Sequence, residues 1–97
     1  MGWATSYIAE LQAGKTVQFR PRGRSMTGRV NDGQLVTVEP LKGLPAIGDV
    51  VLCRVNGSEF LHLVKAVQGD RVLIGSNRGS TNGWTRAIYG RCIKVED

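Results

Sequence analysis

The chain is 97 residues long, with 41% hydrophobic and 22% charged residues and a formal net charge of +5. This size and balance are typical of one small globular domain, and we treat residues 1–97 as a single domain. No apolar run reaches the ~20 residues that cross a bilayer, and the start of the chain lacks a signal-peptide pattern. The composition therefore disfavours a membrane protein and indicates a soluble, cytoplasmic one.

The first predicted element is a short helix over residues 3–13, within an N-terminal segment 1–14. Its larger apolar residues recur at helical spacing: Trp3, Tyr7, Ile8 and Leu11. Gly14 is a typical residue for ending a helix, because glycine adopts the left-handed conformation that often follows the last turn. The sequence therefore predicts one helix ahead of a β-domain at 15–97.

After Gly14 the pattern changes to short, β-favouring segments separated by turns. The predicted strands cover residues 16–19, 34–38, 49–55, 59–67, 71–74 and 87–95. Asn56-Gly57 is a hairpin signal. Residues 79–84 are predicted as a polar loop in which Trp84 either caps the core or contacts a ligand. The expected fold class is mainly β with one short N-terminal helix.

A serine and the only histidine of the chain form a candidate catalytic pair. Ser25 lies in Gly23-Arg24-Ser25-Met26, and His62 lies on the predicted strand 59–67. A serine hydroxyl becomes a good nucleophile when a neighbouring base accepts its proton, and an imidazole can do so near neutral pH. Lys65 is an alternative base, although strand alternation predicts that it faces away from His62. Taken singly, Ser25 is an ordinary turn serine and His62 a half-exposed strand residue.

Five segments in order resemble the LexA and signal-peptidase superfamily of serine proteases. They are Gly23–Met26, Ile47–Val51, the segment around His62, Gly75–Arg78 and Ile88–Cys92. In signal peptidases, Gly-Asp occupies the seventh and eighth positions after the base, as Gly69-Asp70 does after His62. Most members use lysine as the base, and the endoplasmic-reticulum and archaeal type uses histidine. The resemblance covers about residues 17–95 and implies a coiled β-sheet fold and a Ser25/His62 dyad.

The resemblance also implies supporting roles for residues around the dyad. The Ser25 amide is the expected oxyanion donor, Gly23 lets the backbone approach a substrate, and Met26 packs beside the nucleophile. The family's Gly-Asp-Asn segment reads Gly75-Ser76-Asn77 here, so Ser76 or Asn77 is expected to hydrogen-bond the imidazole in place of an aspartate. In a well-studied serine protease, changing that aspartate to asparagine lowers turnover about 10⁴-fold. The chain also departs from the family at Gly28 and at Asp32-Gly33-Gln34.

The sequence thus predicts a slow serine endopeptidase that acts on an extended peptide, in a bacterial or phage regulatory setting. The alternative is a catalytically weak or inactive regulatory or peptide-binding module of the same fold. The resemblance also allows a homodimer through the C-terminal strand. Self-cleavage at Ala13-Gly14 stays open, because this pair is better explained as a helix end.

The remaining charged and thiol groups have simpler interpretations. A basic cluster surrounds Ser25 and consists of Arg20, Arg22, Arg24 and Arg29. It is either a solvated surface or a means of attracting an acidic peptide, and nucleic acid is disfavoured because no recognition motif accompanies it. Cys53 and Cys92 are expected to be buried, reduced thiols, since two cysteines and one histidine at this spacing do not form a zinc site. No metal or cofactor is predicted.

Overall fold

The computed structural model describes residues 2–97 and consists of one antiparallel sheet with a short helix packed on it. In chain order the elements are α1 (Thr5–Gln12), β1 (Val17–Phe19), β2 (Leu35–Pro40), β3 (Val50–Val55), β4 (Ser58–Gln68), β5 (Arg71–Gly75), β6 (Thr81–Thr85) and β7 (Ile88–Glu96). The seven strands follow the order β1-β2-β7-β3-β4-β5-β6. The predicted fold class, mainly β with one N-terminal helix, is confirmed. Within the described part of the chain, no helix has the length and apolar character needed to cross a membrane.

Helix α1 ends at Gln12, and Gly14 turns the chain away towards β1. The Gly14 N–H donates to the carbonyl of Leu11 (3.0 Å), and the Lys15 N–H donates to that of Glu10 (3.0 Å). Gly14 has a φ of 86°, so the left-handed residue and the paired bonds form a Schellman motif. The Ala13-Gly14 bond is therefore part of a hydrogen-bonded helix end.

The sheet has a buried cluster on each face, and β3 contributes to both. Val50 and Leu52 pack with Ile8 and Leu11 of α1, whereas Val51, Cys53 and Val55 pack with apolar residues of β4 and β5. Because side chains alternate along a strand, a strand with a near-continuous apolar run is buried on both faces. The central position of β3 explains why its sequence, VVLCRV, is almost entirely apolar.

Gly90 of β7 allows α1 to approach the sheet closely. A Cβ atom at this position would lie 3.0 Å from Leu11 Cδ1, 2.7 Å from Val38 Cγ1 and 2.7 Å from the carbonyl oxygen of Glu39. Such distances are shorter than van der Waals contact, so a larger residue would displace the helix or strand β2. The glycine therefore sets the position of α1, and with it the positions of the aromatic residues Trp3 and Tyr7.

The hairpin between β3 and β4 forms at Asn56-Gly57, as predicted. Both residues have positive φ, 49° and 84°, and Val55 pairs with Ser58 across the turn. These are the backbone conformations of a type I′ turn, whose twist matches that of the adjoining strands. The turn sets the register that places His62 opposite Val51.

The predicted loop at 79–84 is wrong for residues 81–84, which belong to strand β6. Trp84 pairs with Leu73 of β5, and Gly83 pairs with Ile74. Asparagine and glycine at its centre make TNGWT a poor local β signal, but pairing with β5 satisfies the backbone groups on one side of the strand. Trp84 lies on this strand with its ring 4.9 Å from the guanidinium carbon of Arg71, an exposed cation–π contact rather than a cap of the core.

Candidate active site

The structure brings Ser25 and His62 into direct contact. Ser25 Oγ lies 2.9 Å from His62 Nε2, within the range in which a hydroxyl donates to an imidazole nitrogen. Ser25 is exposed on the turn between β1 and β2, and His62 is 9% exposed on β4. The Ser25 side chain is therefore open to solvent, while the His62 imidazole is held by its surroundings.

Asn82 of β6 forms the second contact of the imidazole. Its Oδ1 lies 2.7 Å from His62 Nδ1. With the amide oxygen accepting the Nδ1–H, the lone pair of Nε2 faces the Ser25 hydroxyl, which is the tautomer that a general base requires. The Phe60 ring, 4.9 Å from the imidazole between centroids, supports the ring from the side. Ser25, His62 and Asn82 thus form a continuous hydrogen-bonded chain.

The sequence reasoning did not identify Asn82, because the residue lies in the segment predicted as a loop. Gly75 pairs with Thr81 and Ile74 with Gly83, so Asn82 is the extra residue of a bulge in β6. Bulges change the direction of a side chain and are frequent beside active sites. In the sequence, the Asn82-Gly83 pair within an otherwise β-compatible run was the feature that could have indicated a bulge.

Asn77 and Ser76, which the resemblance assigned to the imidazole, form other hydrogen bonds. The main-chain N–H of Asn77 donates to the Ser25 carbonyl (2.9 Å), and its Nδ2 donates to the Thr27 carbonyl (2.8 Å). Asn77 therefore holds the turn that carries the nucleophile. The expected contact with the ring is made by Asn82 instead, whose side chain reaches the imidazole from β6, whereas residue 77 lies beside the Ser25 turn.

Ser76 is 2% exposed and organises the turn that leads into β6. Its Oγ lies 2.7 Å from Ser80 Oγ and accepts the main-chain N–H groups of Arg78 (3.1 Å) and Ser80 (3.3 Å). A buried hydroxyl with several partners stabilises a tight turn. Ser76 therefore acts on the site only through the path of the chain towards Asn82.

The amides around Ser25 differ in their availability to a substrate. The Gly23 N–H donates to Asp32 Oδ1 (2.7 Å), so it is already occupied and Gly23 contributes only its lack of a side chain to the site. The N–H groups of Ser25 and Met26 donate to no other residue in 2–97. An unoccupied amide at the nucleophile is the donor that an oxyanion intermediate needs. The Asp32-Gly33-Gln34 segment, a departure from the family pattern, here supplies the carboxylate that fixes the loop before Ser25.

Within residues 2–97, the side chains of Met26 and Lys65 form no hydrogen bond with Ser25 or His62. The Met26 side chain is 5% exposed and belongs to the core cluster that includes Phe19 and Val30. It anchors the residue next to the nucleophile. Lys65 is the extra residue where the pairing of β4 with β5 shifts register, and its side chain lies against Gly75. Lys65 forms no hydrogen bond with Ser25, so His62 is the base that the geometry offers.

A cleft of about 600 Å³ opens beside Ser25 and His62, and both residues contribute to its wall. We call it the aromatic cleft; its apolar wall includes Trp3, Tyr7, Phe19, Met26, Phe60 and Leu61. This volume lies within the range of small-molecule and side-chain binding sites. The candidate site is therefore a nucleophile and base at the edge of an apolar cavity.

The basic cluster divides into two bound and two free side chains. Arg20 Nη1 donates to the Gly33 carbonyl (2.8 Å), and Arg29 Nη2 donates to the Gly48 carbonyl (2.7 Å). Arg22 and Arg24 are exposed and form no ion pair with any residue in 2–97. Their charges face solvent on either side of Gly23, close to the nucleophile.

The thiols lie apart from this site. Burial raises the pKa of the Cys53 thiol from 9.0 to about 12, and it also raises the pKa of the half-buried Cys92 thiol. Both cysteines are free. Among residues 2–97, no three histidine, cysteine, aspartate or glutamate side chains are grouped as metal ligands would be.

The arrangement has the parts of a serine acyl-transfer site: a nucleophile, a base, an orienting group, a free amide and an adjoining cavity. Comparison of the chain with models of protein families and with curated proteins found no match.

Proposed function

We propose that this protein is a serine endopeptidase in which Ser25 is the nucleophile and His62 the general base. The supporting observation is the 2.9 Å contact between Ser25 Oγ and His62 Nε2 at the wall of a cleft. Ser25 Oγ attacks the scissile carbonyl carbon as His62 Nε2 takes the hydroxyl proton. The same proton then passes to the leaving amine, the C–N bond breaks and an ester on Ser25 remains. A water molecule, activated by His62, hydrolyses that ester.

Asn82 orients the imidazole in this proposal but carries no charge. Its carbonyl oxygen selects the useful tautomer, as the asparagine does in Cys-His-Asn proteases. A neutral acceptor stabilises the protonated ring less than a carboxylate does, because hydrogen bonds to ionised groups are roughly twice as strong. The proposed enzyme is therefore slow. The free amide of Ser25 is the proposed donor to the oxyanion.

The proposal includes the setting that the sequence motifs imply: a cytoplasmic protein related to the LexA and signal-peptidase superfamily, with a bacterial or phage regulatory role. The ordered motifs and the Ser25–His62 contact support the relationship. A homodimer through the C-terminal strand stays a prediction of that resemblance.

The experiment is digestion of a peptide mixture by the full chain, with new termini identified by mass spectrometry. We expect cleavage by the unmodified protein and by Ser58→Ala, which removes an exposed serine on the β3–β4 hairpin. Ser25→Ala and His62→Ala should each reduce cleavage to background. A fluorophosphonate should add covalently to Ser25 and leave Ser25→Ala unmodified. Equal cleavage by all four proteins, or none, would contradict the proposal.

A second candidate function, a peptide-binding module without hydrolysis, is favoured by the neutral character of Asn82. Strands β1 and β6 are the two edges of the sheet, and an edge can accept an extended peptide by strand addition. A partner that stays bound and uncut by both the unmodified protein and Ser25→Ala would favour this candidate. Cleavage that depends on Ser25 would rule it out.

A further inference from the structure

Three aromatic side chains form one wall of the aromatic cleft, and one of them is largely uncovered. The Tyr7 and Phe19 rings stack with centroids 4.5 Å apart, and the Trp3 ring lies 5.7 Å from Phe19 at an angle of 57°. Trp3 is nevertheless 51% exposed. An indole held by neighbouring rings but open to solvent on one side can gain further aromatic contact without being reorganised.

The position of this wall relates it to the proposed reaction. Ser25 and His62 line the same cleft, and the Phe60 ring that borders it lies 4.9 Å from the imidazole. A side chain seated in the cleft would therefore belong to a residue close to the carbonyl that Ser25 attacks. The apolar part of the wall comes from separate elements: Trp3 and Tyr7 from the N-terminal segment, and Phe60 and Leu61 from β4.

The charge around the cleft is positive. Arg20, Arg22 and Ser25 lie on its wall, and the Arg22 side chain has no ionic partner among residues 2–97. Glu59 also borders the cleft, but its carboxylate is 3.0 Å from Arg54 Nε and its side chain is 9% exposed. The acidic group is thus neutralised and covered, whereas the cations are accessible. A negatively charged ligand is the one that this rim attracts.

We propose that the aromatic cleft is a specificity subsite for a large aromatic side chain, in a peptide that carries acidic residues beside it. The proposal rests on the proposed peptidase function for its consequence, a cleavage preference, but not for the binding itself. Stacking on the exposed indole of Trp3 selects the aromatic residue, and Arg22, with Arg24 nearby, selects its acidic neighbours. The N-terminal helix thereby becomes part of the substrate site.

Binding is measured first, independently of cleavage, by fluorescence of Trp3. The chain has two tryptophans, so Trp84→Phe leaves Trp3 as the reporter, and Ser25→Ala prevents turnover. The probes are the acetylated, amidated tripeptides Glu-Phe-Glu, Glu-Ala-Glu and Lys-Phe-Lys. Burial of a phenylalanine side chain predicts that Glu-Phe-Glu binds about tenfold or more tightly than Glu-Ala-Glu. Glu-Phe-Glu should also bind more tightly than Lys-Phe-Lys, by a margin that shrinks as salt is added.

Variants test the two parts of the subsite separately. Tyr7→Ala should abolish the preference for phenylalanine, and Arg22→Glu, an exposed change that leaves the core intact, should weaken the preference for the acidic over the basic tripeptide. Ile47→Ala removes an apolar side chain that is 68% exposed and lies outside the cleft wall. This control should change neither the preference for phenylalanine nor the preference for the acidic tripeptide. Equal binding of the phenylalanine and alanine tripeptides, or preferences unaffected by Arg22→Glu, would overturn the proposal.

Cleavage then separates this proposal from the peptidase proposal. If both hold, cut sites in a peptide mixture are enriched in phenylalanine, tyrosine and tryptophan near acidic residues, and Trp3→Ala removes that enrichment while Trp84→Ala retains it. Selective tripeptide binding without any cleavage supports the subsite and overturns the peptidase. Ser25-dependent cleavage with no aromatic enrichment supports the peptidase and overturns the subsite.

Discussion

The main-chain N–H of Asn77 donates to the carbonyl oxygen of Ser25 over 2.9 Å, which joins the nucleophile turn to the segment between β5 and β6. The Asn77 side chain adds a second bond, from Nδ2 to the Thr27 carbonyl (2.8 Å). The same short connection then continues into β6, which carries Asn82. One segment therefore positions both the serine and the group that orients the histidine.

This relationship predicts that Asn77 is a positioning residue. Asn77→Asp has the same shape but cannot donate to the Thr27 carbonyl. The Ser25 turn should therefore lose one of the two hydrogen bonds that it forms with residue 77. Because small misplacements of reacting atoms are costly, we expect kcat to fall about tenfold or more with KM nearly unchanged. Arg78→Ala, an exposed change at the next position, is the control. A Ser25–His62 pair that cleaves peptides equally well in Asn77→Asp would contradict this role.

Asn82 offers a test of the neutral orienting group. Asn82→Ala should lower kcat by about 10²-fold or more, because the imidazole loses the partner that selects its tautomer. Asn82→Asp should instead raise kcat about five- to tenfold, since a charge-assisted bond gains about 1 kcal/mol over a neutral one. The measurement is peptide cleavage at saturating substrate, with circular dichroism to verify folding. The decisive result is a fall in kcat for Asn82→Ala together with a rise for Asn82→Asp. A fall in kcat for both variants would contradict the idea that a charged partner improves the base.

Cys53 should make stability fall at alkaline pH. Burial raises its folded pKa from 9.0 to about 12, so the unfolded thiol ionises first. The stability that the neutral thiol contributes is fully present below about pH 9 and is lost as the pH rises towards 12. At a pH about 1.5 units above the ordinary value, the loss should be on the order of 2 kcal/mol.

Urea unfolding of the Cys92→Ser protein, with and without Cys53→Ala, isolates the contribution of the Cys53 thiol. All other ionisable groups are present in both proteins. The free energy of unfolding should fall more steeply with pH when Cys53 is present. In the folded protein at pH 8, the Cys53 thiol should resist alkylation and should react after denaturation. Rapid alkylation without denaturant would contradict its burial.

Gly90 predicts a packing effect that reaches the aromatic cleft. In Gly90→Ala the new methyl group would meet the Glu39 carbonyl oxygen at 2.7 Å and Leu11 Cδ1 at 3.0 Å. Overpacking of this kind typically costs about 1–3 kcal/mol. We expect that loss in urea unfolding, together with a shift in Trp3 fluorescence as α1 moves, recorded with Trp84→Phe in both proteins. Unchanged stability and emission would show that the helix tolerates the methyl group.

Local patterns in the sequence were sufficient for most of the fold. The helix end at Gly14 and the hairpin at Asn56-Gly57 follow from the backbone preferences of single residues, which act within a few positions of the chain. The apolar run at 49–55 likewise indicated a strand, and the structure shows that β3 is buried on both faces. Such features are readable because each depends on neighbours in sequence rather than in space.

Ser25 and His62 were paired from ordered motifs, and the structure places their side chains in hydrogen-bond contact. The third residue of this hydrogen-bonded chain, Asn82, could not be predicted from the sequence motifs. Asn82 reaches the ring because β6 pairs with β5 and bulges at that residue, in a segment whose own composition favours a loop. The position of a polar side chain at a bulge depends on which strand lies beside it.

The order of residues by itself determined every strand but β6, the helix boundary and the candidacy of one serine and one histidine, since these reflect local backbone energetics and residue chemistry. Only the tertiary structure decided that Asn82 orients the imidazole, that Asn77 holds the nucleophile turn and that Trp3 and Tyr7 border the cleft. These contacts join residues distant in the chain, and they exist because the pairing of β5 with β6 and the packing of α1 on the sheet bring them together.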